Sequence, residues 1–179
     1  MRGRVVVCAV TLLLVAGCTG PGGSSQVLAK VDDWHPDTPQ EAFARLEVAY
    51  DEQAARQMWD GNVDPALPVR EGNPLEPGVY GDLGDVDLQT QVLALYSAGQ
   101  SGSCPQWPVS VTTSDGVVQV EVTEDLQGGD GCTDDYNPYR ALVVVDRDEV
   151  PPVDEIDDAQ GNLAGGSGLS VELGVYRAD

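Results

Sequence analysis

Between Asp85 and the C-terminus, several runs of apolar residues recur at every second position, and this period of two constrains the fold more than any other feature. Successive side chains of an extended strand point to opposite faces, so alternation buries one face and leaves the other to solvent. Val86, Leu88, Thr90, Val92, Ala94 and Tyr96 alternate with mostly polar neighbours and predict a strand. Val109, Val111 and Thr113 predict a second. Asp115-Gly116 follows, a pair suited to a tight hairpin turn whose two central residues take positive φ. Val118, Val120 and Val122 then mark the return strand. Leu142-Val143-Val144-Val145 is apolar on both faces and predicts a buried strand, and Leu169, Val171, Leu173 and Val175 alternate once more.

Upstream the period changes. Thr38-Pro39-Gln40-Glu41 carries a cap, a proline suited to the first helical position and the second half of a capping box. Phe43, Leu46, Tyr50, Ala54 and Met58 recur near helical spacing, opposite Arg45, Asp51, Glu52 and Arg56, and Gly61-Asn62 supplies a stop. Residues 62–84 are rich in proline and glycine and read as an irregular connection. The expected fold is α+β and mainly antiparallel, with one N-terminal amphipathic helix packed on a small five-stranded sandwich or open barrel. The single domain then runs over 38–179, with the helix at 38–61, the loop at 62–84 and the β region at 85–179.

The first residues belong to a different kind of segment. Arg2 and Arg4 precede an apolar run from Val5 to Ala16. As a helix that run is about 18 Å long, short of the roughly 30 Å of a bilayer core, and it reads as a signal peptide. It ends in Val15-Ala16-Gly17-Cys18, which closely resembles the bacterial lipoprotein signal. The resemblance implies a diacylglyceryl group on the Cys18 sulfur and cleavage just before it. Residues 1–17 are then the signal peptide, and 18–37 a lipidated N-terminus and flexible tether, glycine- and serine-rich over Thr19–Ser25. Two acyl chains anchor a protein where one binds only marginally. The expected location is the outer face of a cell membrane.

Cysteine use agrees with export. Cys8 would leave with the signal and Cys18 would carry lipid, leaving Cys104 and Cys132, which pair in an oxidising compartment. The charge is equally one-sided. Nine basic against 30 acidic residues give a net charge of −21, and cleavage removes two arginines and no acid. Such a field repels nucleic acid and anionic headgroups. A protein or a basic ligand is compatible with it, and a solvated surface is its plainest meaning.

Catalytic chemistry finds few footholds. His35 is the sole histidine and sits in Trp34-His35-Pro36 beside the tether, so Ser-His-Asp and Cys-His arrangements have no well-placed base. Zinc ligands are too few, and no glycine-rich loop opens a helix to cradle phosphate. Calcium loops started at Asp130, Asp154 or Asp157 fail because Cys132, Ile156 and Ala159 occupy the third place. No metal and no cofactor are expected. A hydrolase using two carboxylates is the enzymatic alternative, and a cell-envelope spacer is the structural one.

The most distinctive stretches flank the two cysteines: Ser101-Gly102-Ser103-Cys104-Pro105-Gln106-Trp107-Pro108 and Cys132-Thr133-Asp134-Asp135-Tyr136-Asn137-Pro138-Tyr139-Arg140. A disulfide would gather Trp107, Asp134, Asp135, Tyr136, Tyr139 and Arg140 near one end of the sheet. Trp, Tyr and Arg are enriched at binding hot spots, although aromatics also serve simply to cover a disulfide. The two stretches look like those of actinobacterial lipoproteins of uncharacterised function, over roughly Tyr96 to Asp146, a resemblance that implies no activity. The order of a strand ending in Tyr, a glycine-rich loop, a hairpin, Pro-Tyr and a buried strand is also similar to the PrcB-like protease-associated domain. That family has Thr-Gly-Gly-Tyr where this chain has Ser101-Gly102-Ser103-Cys104. The expected function is a membrane-tethered, non-catalytic binding or interaction module.

Overall fold

The computed structural model describes residues 25–32, 44–126, 131–165 and 168–177. Cys18, the Trp34-His35-Pro36 stretch, the Thr38–Glu41 capping box and Phe43 lie outside them. Among the described residues nine strands build one mixed sheet: β1 (Gln26–Asp32), β2 (Ala44–Ala49), β3 (Gly78–Val79), β4 (Gln91–Gln100), β5 (Gln106–Ser114), β6 (Val117–Glu124), β7 (Asn137–Asp146), β8 (Gln160–Leu163) and β9 (Ser170–Val175). One α-helix, α1 (Glu52–Asn62), joins them. The spatial order is β3-β1-β7-β4-β2-β9-β8-β6-β5, with β2–β9 and β6–β8 parallel and every other pair antiparallel.

This overturns the expectation of a five-stranded sandwich or open barrel behind an N-terminal helix. The sheet has nine strands and curls into a half-barrel. Two strands precede α1, which itself starts at Glu52, not at residue 38. Residues 44–49 are extended because Ala44, Leu46 and Val48 alternate with Arg45 and Glu47, and the alternating set is buried against the sheet. The same apolar residues fit a helical period only by skipping Val48. The residues assigned to the tether also change: Gln26–Asp32 is a core strand, paired with β7 on both sides of a bulge at Leu28.

Both faces of the central strands are covered. Val92, Ala94 and Tyr96 of β4, with Ala141, Val143 and Val145 of β7, enter a core shared with Val111, Val118 and Val120 from the far end of the sheet. Strands so distant in sheet order can share one core only if the sheet bends around it. Leu93, Leu95, Leu142 and Val144 point the other way, onto Ala55 and Met58 of α1. The continuous Leu-Val-Val-Val run is thus the signature of a strand buried on two sides. The curl brings β5 to the start of β1: the Ser25 amide donates to the Val109 carbonyl at 3.0 Å, and the Val111 amide donates to Ser25 Oγ at 3.0 Å.

Candidate functional site

The chemically richest end of the half-barrel is where β1 and β4 finish and β5 and β7 begin. A disulfide between Cys104 and Cys132, with Cα atoms 5.5 Å apart, joins the turn after β4 to the segment before β7. Cys104 is buried and Cys132 exposed. Around it Asp135 acts as a clamp. Its carboxylate accepts hydrogen bonds from the Ser101 hydroxyl at 3.2 Å, the Gly102 amide at 3.1 Å, Asn137 Nδ2 at 2.8 Å and the Thr133 hydroxyl. These donors, Thr133 foremost, hold the carboxyl below its usual pKa.

Behind the clamp lies a buried polar chain. Lys30 is on the inner side of β1, fully buried. Its Nζ donates to Gln100 Oε1 at 2.9 Å and to the Leu75 carbonyl at 3.2 Å. Gln100 Oε1 also accepts from the Gln106 amide at 2.9 Å, and its Nε2 donates to Asp32 at 3.3 Å. The ammonium stands 4.9 Å from the centroid of the Tyr139 ring, a cation–π distance. Burial pulls the Lys30 amine down to about 8, against the opposing pull of Asp32. Tyr139 meets Tyr96 edge-on, with ring centroids 6.1 Å apart.

In front of these groups opens a pocket of about 360 Å³. Tyr96, Gln100, Asp135 and Tyr136 line it on one side, and Leu163 and Leu169 on the other. Tyr136 packs against Gly99, where an added Cβ would fall 1.8 Å from the ring. The buried hydroxyls of Tyr136 and Tyr139 have no hydrogen-bond partner among the described residues. An unsatisfied buried polar group costs about 1–3 kcal/mol and calls for a reason.

The residues singled out in the sequence are divided by this geometry. Asp135 and Tyr136 reach the pocket, while Asp134 is exposed beside them. Trp107 and Tyr139 are buried in the core and offer no surface. Arg140 follows Tyr139 on β7 and therefore faces the other side of the sheet, where Glu47 and Tyr176 act on its charge. The disulfide forms as expected; the six-residue surface does not, because alternation along β5 and β7 splits it. Lys30, Tyr96 and Gln100 were missed. The signal available for Lys30 was a lone lysine set among Val27, Leu28, Ala29 and Val31.

A larger cleft of about 790 Å³ lies between the start of α1 and residues 82–89. Four of its five acids already serve the local backbone or a neighbour. Asp51, Asp82 and Asp87 accept from the amides of Ala54, Gly84 and Gln89, and Glu52 pairs with Arg56 at 2.6 Å. Among the described residues no group of three or more His, Cys, Asp or Glu is gathered to hold a metal ion, and no helix is long and apolar enough to cross a membrane. Comparison with known protein families, with characterised proteins and with solved structures returns no match.

Proposed function

We propose that this chain is a lipid-anchored module on the outer face of a cell membrane, and that it binds a small ligand in the disulfide-edged pocket without catalysing a reaction. The observation that carries the reading is the pocket itself. It joins an apolar wall to the side chains of Gln100, Asp135 and Tyr136 and is framed by the two loops that the disulfide holds together. Small-molecule sites have this character, mostly apolar with a few placed polar groups. The Val15-Ala16-Gly17-Cys18 sequence supports the anchor, and a staple between Cys104 and Cys132 suits an oxidising compartment.

Hydrolysis by paired carboxylates fits this pocket poorly. That chemistry needs two carboxyl groups flanking one bond. Among the described lining residues Asp135 is the sole carboxylate, and its hydrogen bonds are directed at its own loops.

Two measurements test the reading. Membrane fractionation of Cys18→Ala should move the protein out of the membrane fraction, and continued retention of a processed chain would count against the anchor. A photo-crosslinking residue at position 169, on the pocket rim, should give one reproducible adduct in intact cells. The absence of any adduct above that of a position on the far side of the sheet would favour a spacer.

A further inference from the structure

The two loops at the disulfide are tied twice. Besides the bond between Cys104 and Cys132, the Thr133 amide donates to Ser103 Oγ at 2.8 Å, the Gly102 amide donates to Asp135 at 3.1 Å, and the Ser101 hydroxyl donates to Asp135 at 3.2 Å. Breaking the sulfur bond leaves these contacts to hold the two thiols near each other.

The sulfurs differ in access. Cys104 is buried, whereas Cys132 is exposed and its Sγ meets Glu124 at the surface. A thiol therefore enters at Cys132, and Cys104 is the sulfur that leaves. Each sulfur also lies beside an oxygen suited to the reduced form. Glu124 Oε2 is 4.0 Å from Cys132 Sγ, an acceptor to which a thiol can donate and a disulfide sulfur cannot. Ser103 Oγ is 3.9 Å from Cys104 Sγ. With Ser101 and Thr133 giving their hydroxyl hydrogens to Asp135, that of Ser103 has three places to turn: Ser101 Oγ, Thr133 Oγ1 and Cys104 Sγ. A departing thiolate is the strongest acceptor of the three. Glu124 also selects the reductant, because its charge opposes an anion at the sulfur to be attacked, in a chain of net charge −21.

We propose that Cys104–Cys132 is a reversible dithiol–disulfide couple, opened at Cys132 by an uncharged or cationic dithiol. The reductant's thiolate attacks Cys132 Sγ. The electron pair of the Sγ–Sγ bond leaves on Cys104, which takes up the proton that the attacking thiol released. The reductant's second thiol then attacks its own sulfur in the mixed disulfide and releases Cys132, which is protonated in turn and donates to Glu124. The protein gains two electrons and two protons, and the reductant becomes a disulfide. The couple operates whether or not the pocket takes a ligand.

The test uses the native full-length protein with free thiols first blocked by iodoacetamide. It is treated with 2-mercaptoethanol, quenched in acid and mapped by mass spectrometry. Opening should be proportional to thiol concentration, with the adduct on Cys132 and the free thiol on Cys104. The tryptophan emission maximum should stay in place, and removal of the reagent should let Cys104 expel it and close the disulfide again. At equal thiolate concentration 3-mercaptopropionate should react about three- to fivefold more slowly, and Glu124→Gln should narrow that gap. Ser103→Ala should slow opening about five- to tenfold, the effect of one hydrogen bond, and Ser103→Thr should restore it. A rate indifferent to thiol concentration, and so set by unfolding, or a shifted emission maximum after opening, would overturn the couple and leave a structural staple. An adduct on Cys104 would overturn the point of entry. A gap unchanged by Glu124→Gln would overturn the selection by charge, and an unchanged rate in Ser103→Ala would overturn the role of that hydroxyl.

Discussion

A lysine on the inner side of the half-barrel is held at a cost. Lys30 pairs with a neutral glutamine and a carbonyl, and burial lowers its pKa from 10.5 to about 8. Between those values the unfolded chain binds more protons than the folded one, so stability rises with pH from about 8 to about 10.5. Tyrosines act in the opposite sense. Burial raises Tyr50 from 10.0 to about 12, and Tyr96 and Tyr139 also move up, so above pH 10 the unfolded state loses protons first and stability falls. Urea denaturation across this range should therefore show a maximum near the crossover. Lys30→Met should flatten the rising limb and keep the falling one; an unchanged rise would remove Lys30 as its source. Gly99 offers a second test. A Cβ there would overlap the Tyr136 ring, so Gly99→Ala should expose Tyr136, read as its increased reactivity toward tetranitromethane. At this scale the sequence was legible in part. Asp135 and Tyr136 were placed near the staple, but Tyr139 and Arg140 were grouped by residue type, although adjacent positions on a strand face opposite ways.

Elements were legible where one period left no rival. The β5–β6 hairpin follows from its alternation and from Asp115-Gly116, which take φ of 53° and 77° at the turn. β7 likewise lies near its expected place, whereas β4 starts only at Gln91: Val86, Leu88 and Thr90, expected in that strand, lie in the loop and turn before it. The stretch before the helix was ambiguous, since Leu46 belongs both to a set spaced by three or four and to Ala44, Leu46 and Val48, spaced by two. The short strands β3 and β8 carry too few residues to show a period at all. What fixes the true start of α1 is Asp51, whose Oδ1 accepts from the Ala54 amide at 2.8 Å. Asp51→Ala should cost about 1 kcal/mol by loss of that cap. Met58, fully buried between α1 and the sheet, should cost about 2–5 kcal/mol when truncated to Ala. Thermal or urea melts would check both, and a smaller loss at Met58 than at Asp51 would mean that α1 is held mainly by its ends.

For the molecule as a whole, the arrangement of the nine strands was hidden because it depends on pairings between distant segments. β2 lies parallel to β9, and β1 lies beside β7, with more than a hundred residues between the partners in each case. Such contacts leave no local periodicity. Cysteine pairing was readable because only two thiols remained to be joined. The disulfide closes about 29 residues, so its reduction should lower stability by up to about 3.6 kcal/mol in the chain-entropy view. Denaturation with and without reductant would measure it, and no difference would mean the Asp135 clamp alone suffices.

The meeting of Ser25 with β5 has a mechanical consequence. Any tether attached ahead of Ser25 transmits tension to this point before it reaches the ladder between β1 and β7. The first bonds loaded are the pair to Val109 and Val111, which fasten one rim of the curled sheet to the other. A pull on the chain ahead of Ser25 would therefore unlatch that seam before it strips a strand.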